Sequence, residues 1–247
     1  MKRWQWWATG IIAYVFIFLA IAPATLVDLI AQRASGGTLR VAAAHGTMWA
    51  GAGELQALDP NHQAVVSRKF AWRISPASVL FGRLVCEIAL DSGATRFPVT
   101  LTPGRIELAN ADLALPAAIL AIAEPKLAPF EFGGELQVHI IDLSIARARW
   151  DANATVIWRA ARVGHGSMPP LGDYELRIAP AANGASIQLR TLGGPLELQG
   201  SGAWPHGARP AFNATARVLP QYREQLEPLL RMIAYDRGAG NYELILQ

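Results

Sequence analysis

A single cysteine, Cys86, stands in a chain of 247 residues. That excludes an intramolecular disulfide framework and any zinc module built on several thiolates. Charge is scarce as well: Asp, Glu, Lys and Arg make up 17% of the chain, against a usual value of about 25%, while 52% is hydrophobic. Little charge and much apolar side chain exclude a disordered protein. The 22 glycines and 16 prolines come to about one residue in six, enough for a turn-rich β protein and too few for a low-complexity one.

Catalytic and metal-binding signatures are missing too. None of His45, His62, His139, His165 and His206 sits at metal-ligand spacing from another His, Cys or acid, and no His-Glu-x-x-His occurs. His139 falls on the polar side of an alternating segment and reads as solvated. Gly164-His-Gly-Ser-Met168 departs from the nucleophile-elbow pattern, and Pro169-Pro170 follow where a helix would have to begin, so a loop is expected. Gly51-Ala-Gly53 and Gly238-Ala-Gly240 lack the third glycine and the helix of a dinucleotide site. Cys86 alternates with Leu84 and Ile88 and reads as a buried, inert thiol. No enzyme, cofactor or metal is expected.

The sequence pI near 9.3 invites a nucleic-acid reading, which the distribution of charge removes. Residues 1–80 carry seven Lys/Arg against three acids, and residues 81–247 carry 15 against 16. The excess belongs to the N-terminal third, with no continuous basic face to release counterions from a phosphate backbone.

Long hydrophobic runs are absent except at one place. From Trp4 to Val27 no residue is charged, and Ala8–Ala22 is almost continuously apolar. A helix of about 20 such residues crosses the hydrocarbon core. Trp4, Trp6 and Trp7 suit the headgroup region, and Lys2 and Arg3 beyond them put that end in the cytoplasm. The rival is a cleaved signal peptide, for which Ala20-Ile-Ala22 and Ala22-Pro-Ala24 fit loosely. Pro23 beside both sites, the tryptophan cluster and the length favour an anchor that stays. Either way the rest of the chain lies on the far side, the periplasm of a Gram-negative cell.

Beyond Arg33 the period is two. Phe70, Trp72 and Ile74 alternate with Lys69, Ala71 and Arg73; Leu136, Val138 and Ile140 with Gln137 and His139; Tyr174, Leu176 and Ile178 follow the same rule. Asp91-Ser-Gly93, Pro103-Gly104, Asn183-Gly184 and Gly193-Gly-Pro195 punctuate the runs as turns. The expected fold is mainly β: a single N-terminal transmembrane helix, then an extended, curved, mostly antiparallel β-sheet domain with two short covering helices. Those helices are expected at 116–123, opened by Pro116, and at 220–234, where Tyr222, Leu226, Leu229, Leu230 and Ile233 form a stripe that Pro228 should kink. The expected divisions are a cytoplasmic tail at 1–7, an anchor at 8–30 and a periplasmic domain at 31–247. Leu115-Pro116 with Gly133, and Leu219-Pro220 with Gly238, also read as an internal duplication over about 39–140 and 141–247. The alternative is that Gly-x-Leu-x-Leu recurs in any β protein.

The most specific string is Gly46-Thr-Met-Trp-Ala-Gly51. With Phe70-Ala-Trp-Arg73, Phe81-Gly-Arg-Leu84, Leu115-Pro116 and Phe132-Gly-Gly-Glu-Leu136, in that order and spacing behind an anchor, it resembles the type II secretion system protein N family. Met48 stands where leucine is usual, a swap of similar size. The resemblance implies an accessory, non-catalytic subunit of the cell inner membrane, acting in the export of folded periplasmic proteins beside other type II secretion subunits of the inner-membrane platform or secretin. It implies no catalytic residue. Gly46, Thr47, Trp49 and Gly51 are the candidate turn: glycines allow positive φ or close backbone approach. Trp49 either plugs the membrane-proximal end of the sheet or anchors a partner. The alternative function is a membrane-anchored lipid-binding or lipid-bridging sheet, because an uncovered apolar face would need lipid, helices or a partner to cover it.

Overall fold

The computed structural model describes residues 7, 10, 21–58, 63–147, 149–164, 170–224, 226, 235–238 and 241–246. Of the anchor expected at 8–30, residues 8–20 lie outside the described residues apart from Gly10, and the tail at 1–7 does so apart from Trp7. No helix among the described residues is long and apolar enough to cross a membrane. Residues 165–169 of the glycine–histidine loop, and the helical stretch expected at 220–234 beyond residue 224 except Leu226, are also outside them.

The chain forms two compact units, Met1–Arg96 and Phe97–Gln247. Among the described elements the first unit has helix α1 (Thr25–Ala34), which takes in 25–30 of the expected anchor, followed by strands β1 (Leu39–Gly46), β2 (Ala50–Leu58), β3 (Ala64–Ile74) and β4 (Leu84–Leu90). They pair antiparallel in chain order, as short turns between alternating segments require. Between β3 and β4 lies a single helical turn, α2 (Pro76–Val79), with proline in its first position. Helix α1 places Val27 and Ala31, four residues apart, against a core of Ala24, Val41 and Trp72. It ends where Gly36 and Gly37 take positive φ, the Gly37 N–H donating to the Gln32 carbonyl at 2.8 Å. Strand β5 (Thr95–Thr102) contains the division between the units.

The second unit continues with β6 (Arg105–Pro116), β7 (Phe132–Ala146), β8 (Trp150–Val163), β9 (Gly172–Ala181), β10 (Gly184–Gly193), β11 (Leu196–Pro205) and β12 (Ala211–Val218), each antiparallel to the next. After them β14 (Asn241–Leu246) pairs with β12, and β13 (Tyr235–Gly238) lies outside β14. Every described pairing is antiparallel, and the protein is mainly β. The register puts Val156 opposite Leu176, and Leu176 opposite Leu189, on one face, and Thr155 and Arg177 on the other. The period-two pattern is thus the inside–outside pattern of the sheet.

The core of this unit gathers Ala161, Leu171, Tyr174, Leu196, Ala216, Val218, Leu226 and Tyr242, with Trp158 and Tyr222 packed against them. Of the two helical stretches, the one expected at 116–123 is there as two short turns, and only the start of the one expected at 220–234 is described. At 116–123, Pro116 is the last strand residue, a 3-10 turn covers Ala117–Ile119, and α3 (Leu120–Ala123) makes one turn before Pro125. At the other, Pro220–Tyr222 is a 3-10 turn that leads to the fully buried Leu226. The repeat boundary read at 140/141 falls inside β7, at a bulge between Ile140 and Asp142. Trp72 and Trp158 each donate the indole N–H to a backbone carbonyl, Trp72 to Met48 at 3.0 Å and Trp158 to Gly133 at 2.9 Å.

Candidate functional site

The string Gly46-Thr-Met-Trp-Ala-Gly51 is the turn from β1 into β2, and both of its glycines are sterically required. Gly46 has φ +97°, and a Cβ there would lie 2.6 Å from the Ala50 carbonyl oxygen. Gly51 has ordinary φ, but its Cβ would come within 2.5 Å of the Trp72 ring and 2.6 Å of the His45 carbonyl oxygen. One glycine serves conformation and the other close approach. Thr47 closes the turn twice: its N–H donates to the Ala50 carbonyl at 2.9 Å, and its hydroxyl accepts from the Ala50 N–H at 3.2 Å. The hydroxyl thereby does what threonine does in a local turn.

This turn holds the segment that arrives from the N-terminus. The Met48 N–H donates to the Ala22 carbonyl at 2.8 Å, the Ala24 N–H donates to the Gly46 carbonyl at 3.3 Å, and Pro23 bridges Thr47. Ala22 and Ala24 are buried. Two peptide hydrogen bonds in antiparallel sense clamp residues 22–24 onto the turn immediately after the apolar run. Small side chains at 22 and 24 allow that approach.

Beneath the clamp lies Trp72, 3% exposed, with its ring stacked on Phe70 at 5.3 Å. Its N–H reaches the Met48 carbonyl, so the buried indole is satisfied. Trp49 is only half-buried, though its backbone carbonyl accepts from Ile74 N–H at 2.6 Å. The buried indole at this end of the sheet is Trp72. In the sequence Trp72 reads as one member of an alternating strand and of the Phe70-Ala-Trp-Arg73 string; the signal for its packing is Gly51, whose missing side chain makes room for the ring. All four candidate residues, Gly46, Thr47, Trp49 and Gly51, come together in one turn, and no titratable side chain belongs to it. What it offers is position rather than reactivity.

Helix α1 adds a second tie. Asp28 accepts from Gln32 at 2.8 Å and from the Val41 N–H at 2.7 Å, while the Ser35 hydroxyl accepts from Leu39 N–H at 2.9 Å. Val41 and Leu39 belong to β1, the first strand of its sheet, so the helix caps donors that the strand would otherwise present along its edge.

The second unit has an open polar concavity of about 560 Å³. Glu175 at its floor is 6% exposed and is gripped by Arg177, at 3.1 Å, and Arg190. The Arg190 hydrogen bond, against the opposing effect of burial and with help from Arg177, holds its carboxyl below the usual value. Nearby, the Tyr174 hydroxyl lies 3.0 Å from the Leu171 carbonyl and 2.9 Å from that of Leu196, and burial pushes its pKa upward. Cys86 is half-buried, with its thiol pKa raised chiefly by burial. His139 is exposed beside Asp112, its cross-strand neighbour. Among the described residues no group of three His, Cys, Asp or Glu is placed to hold a metal ion.

A family model described as type II secretion system (T2SS), protein N, matches residues 37–244. No curated protein and no solved structure matches the chain. The matched stretch begins just ahead of β1 and ends within β14, so it spans both units and the whole clamp turn.

Proposed function

The chain belongs to the type II secretion system protein N family, and on that premise we propose that it is an accessory, non-catalytic inner-membrane subunit of the apparatus that exports folded proteins from the periplasm. In this reading the N-terminal apolar segment, within the anchor expected at 8–30, crosses the membrane once, the N-terminus stays in the cytoplasm and the β units stand in the periplasm. The observation that carries it is the family match over both units. The clamp supports it: Ala22 and Ala24, directly after the apolar run, are hydrogen-bonded to the turn at Gly46–Met48. A sheet fastened there takes its position from the membrane. Its partners are other components of the same apparatus, in the platform or the secretin. The family match favours this reading over lipid bridging.

The test is an export assay in cells that carry the apparatus. Deleting the gene is expected to make folded substrates accumulate in the periplasm, and the wild-type chain should restore their release. Unchanged export in the deletion strain would count against the proposal.

A further inference from the structure

The connection between β3 and β4 carries the most exposed large apolar side chains among the described residues. Leu80 is 86% exposed and Phe81 77%, and Val79 beside them is exposed too. Such a tip is costly in water unless something covers it. It is also held rigidly. Ser78, buried under the tip, donates its hydroxyl to the Ser75 carbonyl at 2.6 Å and accepts from the Val85 N–H at 3.0 Å. Phe81 N–H and Gly82 N–H donate back to the carbonyls of Ser78 and Val79 at 3.1 and 3.0 Å. Gly82 reverses the chain at φ +69°. A braced loop that presents leucine and phenylalanine outward is a built surface.

Its place in the unit says what that surface faces. Ile74 N–H donates to the Trp49 carbonyl, and Arg73 pairs with Ala50, so the loop lies at the same end of the sheet as the Gly46–Gly51 turn. That is the end where residues 22–24 are clamped and where the apolar run arrives, with Ile21 exposed beside the clamp. The opposite end carries the Thr38–Leu58 hydrogen bond and the turn at Asp91–Gly93. Arg73 and Arg83 flank the tip and are exposed. Basic side chains around an apolar tip fit a bilayer surface, with the hydrocarbon side chains below the headgroups and the guanidinium groups among the phosphates.

We propose that Val79, Leu80 and Phe81 dip into the periplasmic leaflet of the membrane that the N-terminal segment crosses, giving the first unit a second point of contact with lipid. This rests on the reading of the N-terminal apolar segment, within the anchor expected at 8–30, as a membrane span. One tether leaves a unit free to swing about it, whereas two contacts fix its tilt.

The test uses the full chain, with Cys86→Ala, in vesicles of phosphatidylethanolamine and phosphatidylglycerol. An environment-sensitive fluorophore is attached to one cysteine at a time, placed by Phe81→Cys, Leu80→Cys, Ala94→Cys or Ile17→Cys, and lipids with bilayer-buried quenchers are added. Ala94 is exposed at the opposite end of the sheet, and Ile17 lies in the apolar run. The expected result is strong quenching at 17, several-fold more quenching at 80 and 81 than at 94, and blue-shifted emission at 80 and 81. Quenching at 17 with no excess at 80 and 81 over 94 would overturn the second contact and leave the span standing. No quenching at 17 would remove the span and, with it, this proposal.

Discussion

Gly46 and Gly51 differ in why they are glycine, and that difference is measurable. Gly46→Ala meets a positive φ and a backbone oxygen 2.6 Å away, whereas Gly37→Ala meets a positive φ with nothing within 4 Å. In urea denaturation of the full chain in mild detergent, G37A should cost about 1 kcal/mol and G46A clearly more. Gly51→Ala must displace the Trp72 ring and should cost about 1–3 kcal/mol, the usual range for overpacking; an equal, small loss for all three would contradict the clamp geometry. Glu175 supplies a pH signature. Its carboxyl titrates below its ordinary value in the folded protein, so its contribution is complete above the unfolded-chain value of about 4.3 and is lost as pH falls through the lower folded one. Glu175→Gln should therefore lower the denaturation midpoint at neutral pH, with the gap to wild type closing on acidification; a gap that widens in acid would refute the assignment. Tyr174→Phe removes the hydroxyl that lies between two buried carbonyls and should cost about 1–2 kcal/mol in the same assay.

At the scale of the element, β1 is the outer strand of its sheet, and helix α1 protects its edge through Asp28 and Ser35. Asp28→Ala should cost about 1 kcal/mol and speed hydrogen exchange at the Val41 amide, and Ser35→Ala should do the same at Leu39. Exchange unchanged at both amides would mean that the caps do not hold in solution. The strands themselves were legible in the sequence, because alternation such as Phe70/Trp72/Ile74 directly records which side chains face the core. Helix α1 was not. Its residues Thr25–Val27 end the uncharged run and read as part of it, whereas Pro23 bridges Thr47 ahead of the helix and Val27 and Ala31 pack with Val41 and Trp72. The short helical stretch at 116–123 was legible too: alanine and leucine favour helix locally, and the two turns that fit between Pro116 and Pro125 are Ala117–Ile119 and Leu120–Ala123.

At the scale of the whole molecule, the chain has two antiparallel β units and a clamp that fixes where the first of them meets the incoming N-terminal segment. The clamp residues were legible as a motif, since Gly46, Thr47, Trp49 and Gly51 stand close together in a string of unusual composition. What the motif holds was not. Its partners at 22–24 contribute backbone groups, which carry no signature in side chains, and the indole beneath it comes from another strand. Membership of a secretion family turns this architecture into a claim about assembly. The direct measurement is site-specific photocrosslinking in native membranes of cells that carry the apparatus. A photoreactive residue is placed in turn at exposed positions of the second unit, such as Ala181 and Arg209, and the crosslinked products are identified by mass spectrometry. The account predicts discrete products that contain another type II secretion subunit. Crosslinks confined to unrelated proteins, from every position tested in cells that are secreting normally, would contradict it.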